Sequence, residues 1–358
     1  MVMDLAFKED WAEARRRTEA WYAREIIDRC AVQIRAPRAG FARRPPPVWK
    51  SLEQKWTDID TLLDCFDEGA PGIWYGGEAL PIFMPNLGPN VLSAWLGCPL
   101  HFAETTTWTD PVIREWRDFS ELKLNRAHRW WKWMTKATKL AAQRGKGKFI
   151  VGITDLHGGG DGLAALRGTE SLCADLALDP EPVKRAERAI RRVWFEASEE
   201  LYALSTAEGQ DGSAGFLGWG PGRTWPLQED LFALISPTMG REFFMEAIAE
   251  QARHLDNAVL HLDGPESLPH LDALLEIPEL DGIQWQPGAA HLEMTQWIPL
   301  IQRIQSKGKC VLIRATPAEI EKILAATTAK GLMITTSVAT ESEGRALLKK
   351  VGEWTRDK

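Results

Sequence analysis

The chain has 358 residues, 44% hydrophobic and 26% charged, with a formal net charge of -7. This is the balance of an ordinary folded protein with material for a large core, and the negative charge excludes nucleic acid as the expected partner, since phosphate binding needs a basic face. No stretch reaches the ~20 apolar residues of a membrane span. Met1 to Asp10 also lacks the basic-then-apolar order of a secretion signal, so a cytoplasmic, membrane-free protein is expected.

The five cysteines, Cys30, Cys65, Cys98, Cys173 and Cys310, are scattered and contain no Cys-x-x-Cys pair, which predicts reduced thiols rather than a zinc ribbon. The 17 tryptophans read mainly as core filler, because an indole buries a large area.

In chain order, Leu5 to Arg29 carries an apolar stripe at helical spacing, so residues 1–30 read as an N-terminal helical extension. Ala31 to Arg35 follows as a first strand, and Arg38 to Pro47 is a proline-rich loop whose Arg38, Arg43 and Arg44 read as a solvated surface. Thr57 to Glu68 predicts a helix with Thr57 and Asp58 as candidate caps. Gly72 to Glu78 predicts a second strand ending in a carboxylate, and residues 81–117 an insertion near the mouth of the fold.

A long basic helix is expected from about Asp118 to Gly145, then a third strand, Lys148 to Thr154, opening into Asp155, His157 and the run Gly158-Gly159-Gly160-Asp161. The glycines could cradle an anion at a helix start, but no Gly-x-x-x-x-Gly-Lys pattern accompanies them and Asp155 and Asp161 flank them with the wrong charge. Helices are expected from Gly162 to Asp175 and from Asp179 to Leu204, and a fourth strand near Ser213 to Leu217. The loop from Gly218 to Trp225 has enough glycine to bring backbone close to a ligand, with Trp219 and Trp225 at its ends. Ser236-Pro237 marks a helix start.

Four apolar runs then end in polar groups: Ala258 to Gly264 with His261 and Asp263, Asp281 to Trp285 with Gln284, Lys309 to Arg314, and Gly331 to Ser337 with Thr336. Residues two apart on a strand share a face, so His261 and Asp263 point into one space. Strands alternating with helices, each ending in polar residues, predict a single (β/α)8 barrel over residues 1–358 with its chemistry at the carboxyl ends of its strands.

On that register His261, Asp263 and Glu78 are the candidate catalytic residues, because imidazole and carboxylates in one cavity can be tuned to move protons near neutral pH. Arg35, Asp155, His157, Trp219, Trp225, Gln284, Trp285 and Arg314 are candidate substrate contacts, with the two arginines suited to an anion. The bland alternatives are that His261 satisfies nearby backbone and that Asp263 caps the next helix. A metal held by His261 and Asp263, with Glu266 and His270, is conceivable by residue type, although no recognised zinc spacing is present.

The segments Leu166-Arg167-Gly168-Thr169-Glu170-Ser171-Leu172, Asp179-Pro180-Glu181-Pro182-Val183, Ser236-Pro237-Thr238-Met239-Gly240-Arg241-Glu242-Phe243 and His261-Leu262-Asp263-Gly264 resemble, in order and spacing, the uroporphyrinogen decarboxylase superfamily, which includes cobalamin-dependent methyltransferases. The resemblance implies a barrel with its site on the carboxyl face. The chain departs from the decarboxylases, whose Arg-Gln-Ala-Gly-Arg-Tyr loop is here Arg35-Ala36-Pro37-Arg38-Ala39-Gly40-Phe41. It also departs from the thiol-methylating branch, whose His-x-Cys zinc set here has Asp263 at the first cysteine position.

The resemblance therefore implies a divergent member: a demethylating methyltransferase acting on a small methoxylated or methylamine-like substrate, with a corrinoid protein as methyl acceptor. The alternatives are a cofactor-independent decarboxylase and a non-catalytic ligand-binding barrel. Zinc without thiolate ligands, and a homodimer, stay open.

Overall fold

The computed structural model describes residues 4–42, 44–118, 122–288 and 293–356. Arg43, one of the three loop arginines, lies outside the described residues; Arg38 pairs with Glu9 at 2.6 Å and Arg44 with Glu68 at 2.7 Å on the surface. No helix among the described residues is long and apolar enough to cross a membrane.

The strands, in chain order, are β1 (Ala31–Pro37), β2 (Ile73–Gly77), β3 (Ile82–Phe83), β4 (Leu100–Phe102), β5 (Thr107–Thr109), β6 (Ile150–Val151), β7 (Ser213–Gly215), β8 (Gly218–Gly220), β9 (Leu227–Gln228), β10 (Val259–Asp263), β11 (Gly282–Gln286), β12 (Cys310–Arg314) and β13 (Leu332–Ser337). Seven of them form one sheet in the order β2-β1-β13-β12-β11-β10-β9, parallel throughout except that β2 runs antiparallel to β1. β3 and β6 pair separately and in parallel, and the Ile153 N–H donates to the Ala214 carbonyl at 2.7 Å, tying that pair to β7. The fold is thus a mixed α/β architecture around a mostly parallel central sheet. Among the described residues the ladder does not run continuously through eight strands, because β2 turns back on β1 and β3, β6 and β9 are only two residues long.

Helices form where local chemistry starts and stops them. Ser51 and Asp58 accept backbone N–H bonds to open helices Leu52–Thr57 and Ile59–Gly69, so Asp58 is the cap that the sequence suggested. Ser236 caps Pro237–Phe243 in the same way, with proline at the first helical position where its missing N–H costs nothing. Gly168, at φ 91°, breaks the expected helix after Gly162 into Gly159–Arg167 and Thr169–Leu178, a backbone angle a side chain would oppose. The N-terminal helix is Trp11–Tyr22 and the tryptophan-bearing helix is Arg129–Gly145, both shorter than the composition suggested.

The two faces of the sheet have different fates. Val32, Ile34, Leu260, Leu262, Ile283, Trp285, Val311, Ile313, Leu332 and Ile334 enter the main core beneath the helices. On the opposite, inner face, Ala31, Val259, Cys310, Leu312 and Met333 form a second apolar cluster closed by Trp21, whose indole N–H donates to the Gly331 carbonyl at 2.8 Å. Further along the same face toward the carboxyl ends lie Gln33, His261, Gln284, Thr335 and then Arg35, Asp263, Gln286 and Arg314, in the registers that pair Arg35 with Ser337, Arg314 with Thr335 and His261 with Gln284. The inner face is therefore sealed by apolar groups at one end and polar at the other.

The amino rim carries its own buried ion pair. Because β2 is antiparallel, Ile73 lies opposite Pro37 and Gly77 opposite Gln33, so Glu78 is delivered beside Val32, away from the carboxyl rim. Its carboxylate receives both Arg29 guanidinium nitrogens at 2.8 and 2.9 Å and the Val32 N–H at 2.6 Å. Removing one partner of a buried pair strands the other charge, which costs about 3–5 kcal/mol. Arg29→Ala should therefore lower unfolding stability by about that amount, read as a shift in the denaturant midpoint. A loss no larger than that of an exposed-arginine control such as Arg241→Ala would contradict the assignment.

Candidate active site at the carboxyl rim

The polar end of the inner face is built on a row of side chains crossing neighbouring strands. Gln228 on β9 is in register with His261 on β10, which is in register with Gln284 on β11. The Gln284 amide nitrogen donates to the Trp285 carbonyl at 3.2 Å, so its oxygen is the atom that meets His261 Nδ1. Nδ1 thus carries the proton in the neutral ring, which makes Nε2 the acceptor. Phe216, 41% exposed, sets its ring edge-on to His261 at 5.5 Å between centroids.

The other end of the row reaches the segment after β6. The Gln228 amide donates to Asp155, and Asp155 Oδ1 lies 3.4 Å from His157 Nε2. His157 Nδ1 in turn lies 3.0 Å from Asp161 Oδ2, so each ring nitrogen of a buried imidazole faces a carboxylate. Burial opposes a charge on His157, but the hydrogen bonds and charges of Asp155 and Asp161 outweigh it and hold the imidazolium to well above the usual histidine range. Burial would likewise raise Asp155, and its bonds to His157 and Gln228 overcome that and keep it ionised below its ordinary value.

Asp161 is also bound from the far side: its Oδ2 accepts the Asp230 N–H at 2.9 Å and its Oδ1 the Leu231 N–H at 2.8 Å. Glu229, 4% exposed, accepts the Gly160 N–H at 3.0 Å through one oxygen and leaves the other without a partner. Burial and the nearby Asp161 charge push its carboxyl well above the ordinary range, which favours its neutral form. Asp230 is exposed as a residue, yet desolvation of its carboxyl and the Asp161 charge raise it to about 6. The glycine run exists to admit these acids: a Cβ at Gly159 or Gly160 would fall 2.2 or 2.3 Å from a Glu229 oxygen.

The other candidates from the sequence fall into three groups. Arg35, Asp263 and Arg314 stand exposed on the carboxyl rim, and among the described residues neither guanidinium makes a hydrogen bond or ion pair. Glu78, expected on this rim, is a correction: it sits at the amino rim, locked to Arg29, because its strand is antiparallel. The tryptophans are packed away from the opening. Trp285 is on the opposite face from Gln284 and meets Trp297 edge-on, Trp225 packs against Trp194, and Trp219 packs against Trp11 with its N–H on the Asp211 carbonyl.

The chemistry missed in the sequence is Asp161 as an acceptor and the run Gln228-Glu229-Asp230. A two-residue strand gives no periodicity to read, although three consecutive polar residues after Trp225-Pro226-Leu227 are a usable signal.

A metal at His261, Asp263, Glu266 and His270 does not fit. His270 turns into the core, stacked on Phe232 at 4.2 Å with Nε2 on the Ile235 carbonyl. Among the described residues the donor atoms of His157, Asp161 and Asp230 do lie within 4.8 Å of one another. Asp161 accepts from His157 Nδ1 and from two backbone N–H groups, and these bonds hold the cluster together as a clasp.

No family model and no curated protein sequence matches the chain. Among solved structures, a methyltransferase from Methanosarcina mazei is similar, with a TM-score of 0.59 at 12% identity over 95% of this chain and 98% of that one. At this identity the likeness establishes a shared fold across essentially the whole length of both chains.

The raised carboxyl of Asp230 has a consequence for stability. Its pKa is about 6 in the folded chain against 3.8 for the free group, so the folded state holds a proton that the unfolded state releases, and stability falls as pH rises from 3.8 through 6. Asp230→Asn should escape that decline. Urea midpoints at pH 4, 5, 6 and 7 should show the variant gaining on the wild type up to pH 6 and then running parallel; parallel curves throughout would contradict the shift.

Proposed function

We propose that the protein is a methyltransferase that removes a methyl group from a small methoxylated or methylamine-like substrate and hands it to a corrinoid carried by a separate protein. The observation that carries this reading is the His157 imidazolium clamped between Asp155 and Asp161, one amide away from His261, at the carboxyl end of a fold shared with a methyltransferase.

A reduced corrinoid supplies the nucleophile that accepts the methyl carbon. What the chain must supply is a proton, because breaking a carbon–oxygen or carbon–nitrogen bond leaves the electron pair on the heteroatom. His157 holds such a proton on Nε2 against Asp155, whose carboxylate is 20% exposed and can relay it to the leaving heteroatom, and Asp161 stabilises the charge before transfer. His261, with Nε2 free, is placed to accept a hydrogen bond from the substrate and orient it, and Phe216 offers an apolar wall beside it. Asp263 lies beyond His261 on the same face, nearer solvent, where it can exchange protons with the site.

Purified protein mixed with reduced cobalamin and a panel of methoxylated compounds and methylamines should form methylcobalamin, seen by its absorbance. His157→Gln should lower kcat by about 10²–10⁴-fold, the usual worth of a positioned proton donor. Absence of methylated product across the panel, from protein shown to be folded, would sink the reading.

Arg35 and Arg314, unpaired among the described residues, favour a second reading, a cofactor-independent decarboxylase in which both guanidiniums anchor substrate carboxylates and Asp263 returns a proton to carbon. It predicts carbon dioxide release from a polycarboxylate such as uroporphyrinogen without added cobalamin, and loss of that release in Asp263→Asn.

A further inference from the structure

We propose that Asp161 is a positioning residue: one carboxylate that holds the proton on His157 and, through the same oxygens, fixes the segment carrying Gln228 and Asp230 against it. The role of that proton in leaving-group protonation rests on the methyl-transfer reading above; the clasp itself does not.

The argument starts from local geometry. Asp161 follows His157 by four residues, and helix Gly159–Arg167 begins between them, so the chain turns back and brings Oδ2 to 3.0 Å from His157 Nδ1. Asp161 exposes only 10% of its side chain, so water competes weakly for it. Its remaining capacity goes to the N–H groups of Asp230 and Leu231, which open the 3-10 turn Asp230–Leu234. The Glu229 carboxyl then reaches back to the Gly160 N–H, closing a reciprocal lock between the two segments. Within this lock Gln228 bonds Asp155, the second acceptor for His157. One anion thus sets both the protonation of the imidazole and the position of its other partner.

A purely structural Asp161 would cap the turn and nothing more, and the two roles separate in Asp161→Asn. In either orientation the single asparagine carbonyl still accepts at one oxygen position, either the Oδ2 place shared by His157 Nδ1 and the Asp230 N–H or the Oδ1 place of the Leu231 N–H, while the charge that holds the imidazolium is gone. The groups facing His157 are Asp155 on its own segment, Asp161 at the helix start and Asp230 after β9, with Glu229 against Asp161 and His261 across Gln228. Of these only Asp161 is replaced in this variant, and with its charge gone the carboxyls of Glu229 and Asp230 are raised less.

The experiment is nitrogen-detected NMR titration of His157 in the full chain, assigned by its disappearance in His157→Gln. The wild type should titrate at least ten-fold in proton affinity above an ordinary imidazole, with both ring nitrogens protonated at pH 7. Asp161→Asn should lose at least ten-fold in that affinity while retaining most of the thermal stability that Asp161→Ala forfeits. In the methyl-transfer assay the same variant should lower kcat and move the alkaline limb of the pH-rate profile downward, with KM little changed.

An unaltered His157 titration in Asp161→Asn overturns the proposal. So does an ordinary imidazole midpoint in the wild type, a measurement that needs no variant to fold. Neither readout uses substrate or cobalamin, so failure of the clasp and failure of the methyl-transfer reading are distinguishable.

Discussion

A strand side chain has only two directions to point, and this molecule follows from which direction water is excluded. Parallel strands β10 to β13 and β1 bury one face under helices, which demands unbroken apolar residues there and leaves only the other face for chemistry. On that inner face Trp21 and the small cluster around Val259, Cys310 and Met333 exclude water from the amino end. Polar groups therefore collect at the carboxyl end, where they can hydrogen-bond each other and still reach solvent. Moving a residue by one position would place it in the core instead, as Trp285 beside Gln284 shows.

Within that end the electrostatics are not symmetrical. Asp155, Asp161, Glu229 and Asp230 crowd around one charged imidazole, and burial together with the crowding of negative charge raises the carboxyls of Glu229 and Asp230. Asp155 and Asp161 remain as acceptors for His157, and Asp155 is shifted down while Asp230 is shifted up, so neighbouring acids of the same type are moved in opposite directions by their surroundings. Arg35 and Arg314 stand elsewhere on the rim, unpaired by any acid among the described residues. The opposite rim solves the same problem by pairing: Arg29 and Glu78 face each other through two hydrogen bonds.

Strands β10, β12 and β13 were legible because their apolar runs are short, bounded and followed by helix signals, and the parity of His261 and Asp263 needs only the local pleat. The Ser236-Pro237 helix start and the Asp58 cap were legible for the same reason, since capping uses atoms within three residues. Parity alone also separates Gln284 from Trp285, which cannot both line one opening. β2 was found as a strand, yet its direction is not a local property, and with the direction went the place of Glu78.

The amino-acid sequence by itself determined the alternation of apolar and polar residues along each late strand, and hence that His261, Asp263 and Gln284 share a face, because the pleat repeats every two residues whatever surrounds it. Only the tertiary structure decided that Glu78 faces Arg29, and that His157 lies between Asp155 and Asp161 with Gln228, Glu229 and Asp230 closed around them. The Gln228–Asp155 bond among them spans 73 residues, and no periodic pattern reaches that far. Which acid keeps its proton depends on burial and on neighbouring charge, and both come into being only when distant segments pack.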